Sequence, residues 1–453
     1  MTTQPADVRF GRLEQRGLLL GLSAAQVALI GAALVAVVAG GMAAGPVGLL
    51  AIAPVWGAAL LLALVPVGGR PLVEALPTAV PWALRRVTNR STTFAPPRHR
   101  ESLTIPGVAG RLRVVEDETT GVGRIVAARR SGPAPFVVIA RVRGRGFLLE
   151  DANAQDRQVD GWGRLLGSLS RLPHVSGIQV LHRTVTGSPG IAAWWAAQPR
   201  TGAAWAQRIV DDLAADAADS TRVDTLLVLS VRPRRGTAAS SVLGMAAEAL
   251  DGAGVDLDRW LTPRQIQGVI RTAYAGPVEE AAQCGPMGVA EAWSHARSDT
   301  AFHATFWISE WPRSATHPGF LRTLLLAPGS TRTFSLTAEP LATGKALREI
   351  RRARAEQVAD AATRARIGQV EDEANRAAAA ELTRREEDLI AGHGDLRFTG
   401  LVSVSAVTLD ELDDACAMLE SAAGQAGCEL RRLVGQQVQA FAAAALPLAR
   451  VLS

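Results

Sequence analysis

Lysine is almost missing from this chain of 453 residues: Lys345 stands alone, and nearly all the basic charge is arginine. With its excess of Ala and Gly, the composition has the bias of a GC-rich genome. The net charge of +5 is therefore weak evidence for a nucleic-acid partner, and no direct contact with nucleic acid is expected. Cysteine is scarce too. Cys284, Cys416 and Cys428 cannot close a disulfide framework and fit a reducing compartment. The length, enough for roughly two or three domains, excludes a miniprotein, and the composition excludes a collagen-like fibre or a wholly disordered tail.

Motifs of common chemistries are lacking as well. A phosphate loop needs GxxxxGK[ST], yet the one Gly-Lys pair, Gly344-Lys345, has Glu339 in place of the first glycine and Ala346 in place of Ser or Thr. Gly144-Arg145-Gly146 and Gly161-Trp162-Gly163 lack the third glycine of a dinucleotide site. There is neither HExxH nor GxSxG. No catalytic, cofactor or metal residue is assigned, and no cofactor is expected.

Charge is absent from Gly17 to Gly69, long enough for two crossings of about 20 residues each. Gly40–Pro46 punctuates the run, which predicts helices over Ser23–Ala39 and Val47–Pro66 joined by a turn. Arg9, Arg12 and Arg16 precede the pair, Arg70, Arg85, Arg86 and Arg90 follow it, and the turn is uncharged, so both termini are expected in the cytoplasm. A signal peptide would be followed by polar mature sequence, not by a second apolar span. Residues 1–69 are thus read as a transmembrane hairpin in contact with lipid. Residues 70–105, rich in Pro and Arg, are read as a juxtamembrane linker or a short helix against anionic headgroups, with Trp82, Arg85 and Arg86 favouring the latter.

Beyond the anchor the patterns predict a mixed α/β (α+β) fold. Residues 106–340 carry short strands at Leu112–Glu116, Gly123–Ala127, Phe136–Val142, Gly146–Leu149, Gly177–Thr184, Asp224–Val231, Phe302–Trp311 and Thr331–Glu339. Helices are expected over Asn153–Leu172, Ile191–Ala217, Ser240–Ala253 and Thr262–Tyr274. Residues 341–393, without proline and with alternating charge, predict a long helix or helical hairpin, paired along its face by Asp372, Glu373 and Arg376 and by Arg384, Arg385 and Asp388. Residues 394–453 read as strand, helix, strand and short helix, a small ferredoxin-like β-α-β unit.

Other polar clusters are read as structural. His295 and His303, near Glu291 and Cys284, are irregularly spaced for metal ligands. Cys416 and Cys428 suit the core, and Trp293, Trp307 and Trp311 a packed aromatic face. Arg232, Arg234 and Arg235 read as a solvated loop.

Several segments carry a resemblance. They are Gly21-Leu22-Ser23-Ala24-Ala25-Gln26, Gly144–Phe147, Asp156–Gly163, His303–Pro312, Arg397–Gly400 and Glu429–Gln437 with Ala440-Phe441 and Leu446-Pro447-Leu448. Together they resemble the PrgI-like membrane proteins of actinobacterial conjugation and type IV secretion clusters, joined to the amino-terminal, non-ATPase domain of conjugative secretion ATPases. The resemblance implies a non-enzymatic inner-membrane subunit, oligomeric within a secretion complex, that docks a separate ATPase. It places the dock at Arg431, Arg432, Leu433, Val434, Gln436 and Gln437. A type VII secretion membrane subunit and a membrane-tethered enzyme are the alternatives.

Overall fold

The computed structural model describes residues 23–450 except 68–69, 95–101, 104, 109–110, 128–134, 144–149, 173, 186–194, 199–201, 217–221, 234–238, 276–284, 313–315, 318, 327–329, 342, 367–372 and 391–394. The expected strand at Gly146–Leu149, the arginines Arg234 and Arg235, Cys284, and the flanking Arg9, Arg12 and Arg16 lie outside the described residues.

Helix α1 (Ala24–Ala51) starts from a reciprocal cap between Ser23 and Gln26. Its backbone leaves helical geometry at Ala44 and Gly45, just before Pro46, and the chain doubles back into α2 (Ala53–Leu64). At the open end of this bend, Gln26 Nε2 donates to the Ala63 carbonyl at 2.8 Å. Small residues permit the close return: a Cβ on Gly48 would overlap the Gly40 carbonyl oxygen. Among the described residues one helix, Ala25–Ala51, is long and apolar enough to cross a membrane, and α2 is shorter. Strands β1 (Pro66–Val67) and β2 (Arg70–Pro71) then turn the chain into α3 (Leu72–Val87), which is helical through Pro77 and Pro81.

The body is mixed α/β with a large antiparallel sheet. It opens with β3 (Thr92–Phe94), β4 (Ser102–Leu103), β5 (Leu112–Glu116) and β6 (Gly123–Ala127). Next come β7 (Phe136–Arg143), α4 (Ala152–Arg171), β8 (Val175–Val185), α5 (Ala204–Asp216), β9 (Arg222–Val231), α6 (Ala239–Gly252), β10 (Asp256–Trp260) and α7 (Pro263–Ala275). Then follow β11 (Gly288–Glu291), β12 (Ala296–Arg297), β13 (Phe302–Glu310), α8 (Arg322–Leu326), β14 (Thr331–Leu341), α9 (Thr343–Arg366) and α10 (Glu373–Ile390). The chain closes with β15 (Asp395–Ala406), α11 (Leu409–Gln425), β16 (Glu429–Arg432) and α12 (Gln437–Ala445).

Two stretches of the sheet share one strand order. In the first, β8-β9-β7-β10 are neighbours in that sequence; in the second, β14-β15-β13-β16. Each therefore runs second, third, first, fourth in chain order, and each inserts helices between its second and third strands, α5 in one and the α9–α10 pair in the other. The second strands, β8 and β14, pair antiparallel and fuse the halves. The last segment of the chain joins this sheet: β15 and β16 lie on opposite sides of β13.

One face of the sheet carries α4 and α6 on the first half and α8 and α11 on the second. The other carries α7 and α12. Strand β9 is buried on both faces, Leu227 and Leu229 toward the first set and Leu226 and Val228 toward the second, as its continuous apolar run predicts. Each such side chain contributes about 1.5–3 kcal/mol on leaving water. Among the described residues the α9–α10 pair buries Ala346, Ile350 and Leu389, at its base. Farther out, Arg354 reaches Glu386 at 2.6 Å, and Arg385 meets Asp395 of β15 at 2.5 Å.

Helices α4 and α6 approach through a glycine. A Cβ at Gly161 would overlap the Ala253 carbonyl oxygen, whereas one at Gly163 meets nothing within 4 Å. Gly161→Ala should therefore destabilise the fold by about 1–3 kcal/mol. Gly163→Ala should be neutral or stabilise it by up to about 1 kcal/mol. Denaturant melts of the purified variants should separate the two; equal effects would contradict this packing.

Candidate functional site

Helix α12 is alanine-rich and buried at Gln437 and from Ala440 to Ala445. A buried helix leaves terminal N–H and C=O groups that only the protein can pair. At its carboxyl end two side chains of β8 do so. Gln179 Nε2 donates to the carbonyls of Ala443 and Leu446, both at 3.2 Å, while its Oε1 accepts from Ala449 N at 2.8 Å. Arg183 donates to Ala445 O at 2.7 Å and to Val269 O on α7 at 3.0 Å. Burial lowers the Arg183 pKa to about 10, partly countered by Asp224, so the guanidinium keeps its charge at neutral pH. A cation there complements the helix dipole.

At the amino end Glu291 of β11 accepts from Val438 N at 3.3 Å, placing a carboxylate where the dipole favours one. Gln437, fully buried, accepts from Thr305 N at 2.9 Å and donates to Leu433 O at 2.9 Å. Beside it, His303 sits 4.2 Å from the Phe441 ring. Its Nε2 and Nδ1 each lie 2.7 Å from a hydroxyl, of Ser298 and Ser405 respectively. Ser298 Oγ gives its proton to the Tyr274 carbonyl at 2.6 Å, which assigns the Nε2–H tautomer to His303. Burial lowers the His303 pKa to about 3 and holds the ring neutral. With its hydroxyl proton committed, Ser298 is a link in a buried network, and His303 lines its strand as the sequence suggests.

The same corner receives helix α3. Arg85 on α3 donates to the Gly435 carbonyl at 2.7 Å and pairs with Glu291 at 3.0 Å. Burial raises the Glu291 pKa, and Arg85 and the Val438 N–H pull it back. Trp82 packs edge-on against Trp293, with centroids 5.0 Å apart. Gly435 has φ 72° and a Cβ there would lie 2.7 Å from the Trp293 ring, so glycine is needed on both counts. Glu291 thus serves α12 and α3 at once.

The six residues read as a partner dock fall within this construction. Leu433 is buried, with its N–H on Thr305 O, and Gln437 is wholly interior. Arg432 donates to the Ser294 carbonyl at 2.8 Å and lies over the Phe306 ring. Arg431, Val434 and Gln436 are half-buried. The start of the segment, Glu429, borders a cleft of about 1110 Å³ also lined by Glu310, Trp311, His317 and Arg322. Cys416 and Cys428 are core residues whose thiol pKa values burial raises to about 11. The three tryptophans read as one face are divided: Trp293 meets Trp82, Trp311 meets Phe398, and Trp307 packs on the Leu401–Leu433 cluster. Among the described residues no three His, Cys, Asp or Glu side chains come together to hold a metal.

Gln179, Arg183 and Glu291 form the core of the site, yet no local motif marks them. The one available signal was a glutamine and an arginine inside the apolar strand Gly177–Thr184.

Removing Arg85 leaves Glu291 half-sequestered without its cation. Arg85→Met should cost about 1–3 kcal/mol, and adding Glu291→Gln should restore part of it. A thermal-denaturation double-mutant cycle reads the coupling; additive losses would mean that the pair does not support the joint.

Compared with models of known protein families and with curated protein sequences, the chain matches none.

Proposed function

We propose that this protein is a membrane-anchored, non-enzymatic subunit of a type IV-like conjugative or secretion apparatus that holds a separate ATPase at the membrane. The observation that carries the reading is the built joint between the apolar amino-terminal segment and the α/β body, through Arg85, Trp82, Trp293, Glu291 and Gly435. A body keyed to its anchor suits a scaffold that must hold partners at fixed positions. The reversal at Ala44–Gly45 supports two crossings, one on either side of it, with both termini in the cytoplasm. Each half of the body, β7–β10 and β13–β16, has the strand order of a ferredoxin-like split β-α-β unit; the unit expected over residues 394–453 supplies only β15, α11 and β16 of the second half, and the order by itself supports no particular activity.

Catalysis through Lys345 has no structural support. Strand β14 ends at Leu341 and α9 begins at Thr343, so Gly344 and Lys345 stand in the first helical turn with no room for a phosphate loop. For the partner dock, the half-buried Arg431 of β16 is the remaining charged group, since Arg432 is tied to Ser294. Rim charges of this kind set orientation and association rate.

Reporter fusions after Gly41 and at Ser453 should report opposite sides of the membrane; the same side for both would exclude the hairpin. Arg431→Glu should reduce co-purification of the secretion ATPase with an unchanged melting temperature. Undiminished binding would move the dock elsewhere, and Arg432→Glu should lower stability as well.

A further inference from the structure

Helix α3 has two opposed faces. At about 100° per residue, Thr78, Trp82 and Arg85 share a sector of about 60°. That sector faces the body: Trp82 against Trp293, Arg85 on Glu291 and the Gly435 carbonyl, and the Thr78 carbonyl beside Gly435. Val80, Leu84 and Val87 share a second sector about 160° round the axis. These three are 58%, 63% and 83% exposed, a row of large apolar side chains on the side away from the body. The sequence suggested Trp82 and Arg85 as the headgroup-facing residues; the fold gives both to the body.

We infer that α3 lies in the bilayer interface with Val80, Leu84 and Val87 toward the acyl chains, so that the body sits on the membrane through this helix. Continuity argues for lipid as the occupant. Only residues 65–71 separate α3 from α2, it packs against both α1 and α2, and those helices expose Leu61, Leu64 and Val35 in the same apolar segment. Arg90, just past the end of α3, is exposed and free to meet phosphates, while Arg86 lies over the Trp82 ring at 5.3 Å, on the flank between the two faces. An interfacial helix buries its apolar face ~5–10 Å into the headgroup–acyl boundary. Trp82 and Arg85 then lock the other face, and the body acquires one tilt relative to the bilayer.

This inference rests on the membrane-anchor reading, and the test separates the two. Single cysteines at Val80, Leu84 and Val87 would be introduced into the full chain carrying Cys284→Ser and labelled with an environment-sensitive fluorophore. Cys416 and Cys428 stay in place, because buried thiols with raised pKa values label poorly. Val35→Cys reports the anchor and Val358→Cys, 70% exposed on α9, reports solvent. In vesicles of phosphatidylcholine and phosphatidylglycerol, labels at Val80, Leu84 and Val87 should be quenched by brominated acyl chains and protected from iodide, like Val35. Quenching by iodide at the level of Val358 would overturn the inference. So would protection from both quenchers, which would mean that protein covers the stripe. If Val35 is lipid-quenched and Leu84 is not, the helix assignment fails alone; if neither is, the anchor reading fails with it.

Discussion

A helix buried at both ends cannot rely on water, and α12 is such a helix. Its alanines contribute little apolar area each, so its place depends on the pairing of its terminal groups. The pairing comes from far away in the chain, Gln179 and Arg183 at one end and Glu291 at the other, while Gln437, the first residue of α12, ties the helix to Thr305 of β13. An unpaired buried carbonyl or amide would cost about 1–3 kcal/mol, which makes Gln179, Arg183 and Glu291 the condition for α12 being there.

The rest of the architecture follows from that condition. Gln179 and Arg183 stand on β8, the strand through which the first half joins β14 of the second, and Gln179 also donates to Ser335 across that join at 2.8 Å. The sheet face beneath α12 is lined by small hydroxyl residues, Thr305, Thr333, Ser335 and Ser403, all buried. Small side chains on both surfaces let helix and sheet come close. Glu291 extends the arrangement outward, because the carboxylate that meets the amino end of α12 also holds Arg85 of α3. Sheet join, α12 and α3 thus share one polar framework, with opposite charges at the two ends of α12.

Much of the frame was legible in the sequence. Strands such as Leu112–Glu116 and Gly123–Ala127 are bounded by turn residues, and the run around Leu226–Leu229 announces burial on both faces. The proline-free charged segment reads as helical for local reasons, and α9 and α10 are there. What stayed hidden is nonlocal. Gln179 and Arg183 gain meaning only against carbonyls more than 250 residues later, and nothing near them in the chain signals it. The paired halves were missed because their likeness lies in strand order, with helical insertions of unequal length that erase any regular period. Helix α3 was ambiguous because Pro77 and Pro81 argue against a helix that its contacts with the body stabilise. Gln437, placed in the partner dock by the resemblance, is interior, its oxygen accepting from Thr305 N.

The central claim is that α12 opens only when the whole fold opens. Hydrogen exchange of the full chain in lipid nanodiscs tests it most directly, by comparing a peptide covering Val438–Leu446 with one covering the central strand β9. The account predicts that both exchange with the same free energy, that of global unfolding. Faster exchange of the α12 peptide while β9 stays protected would contradict it, because the helix would then be a detachable element laid on a sheet that is complete without it.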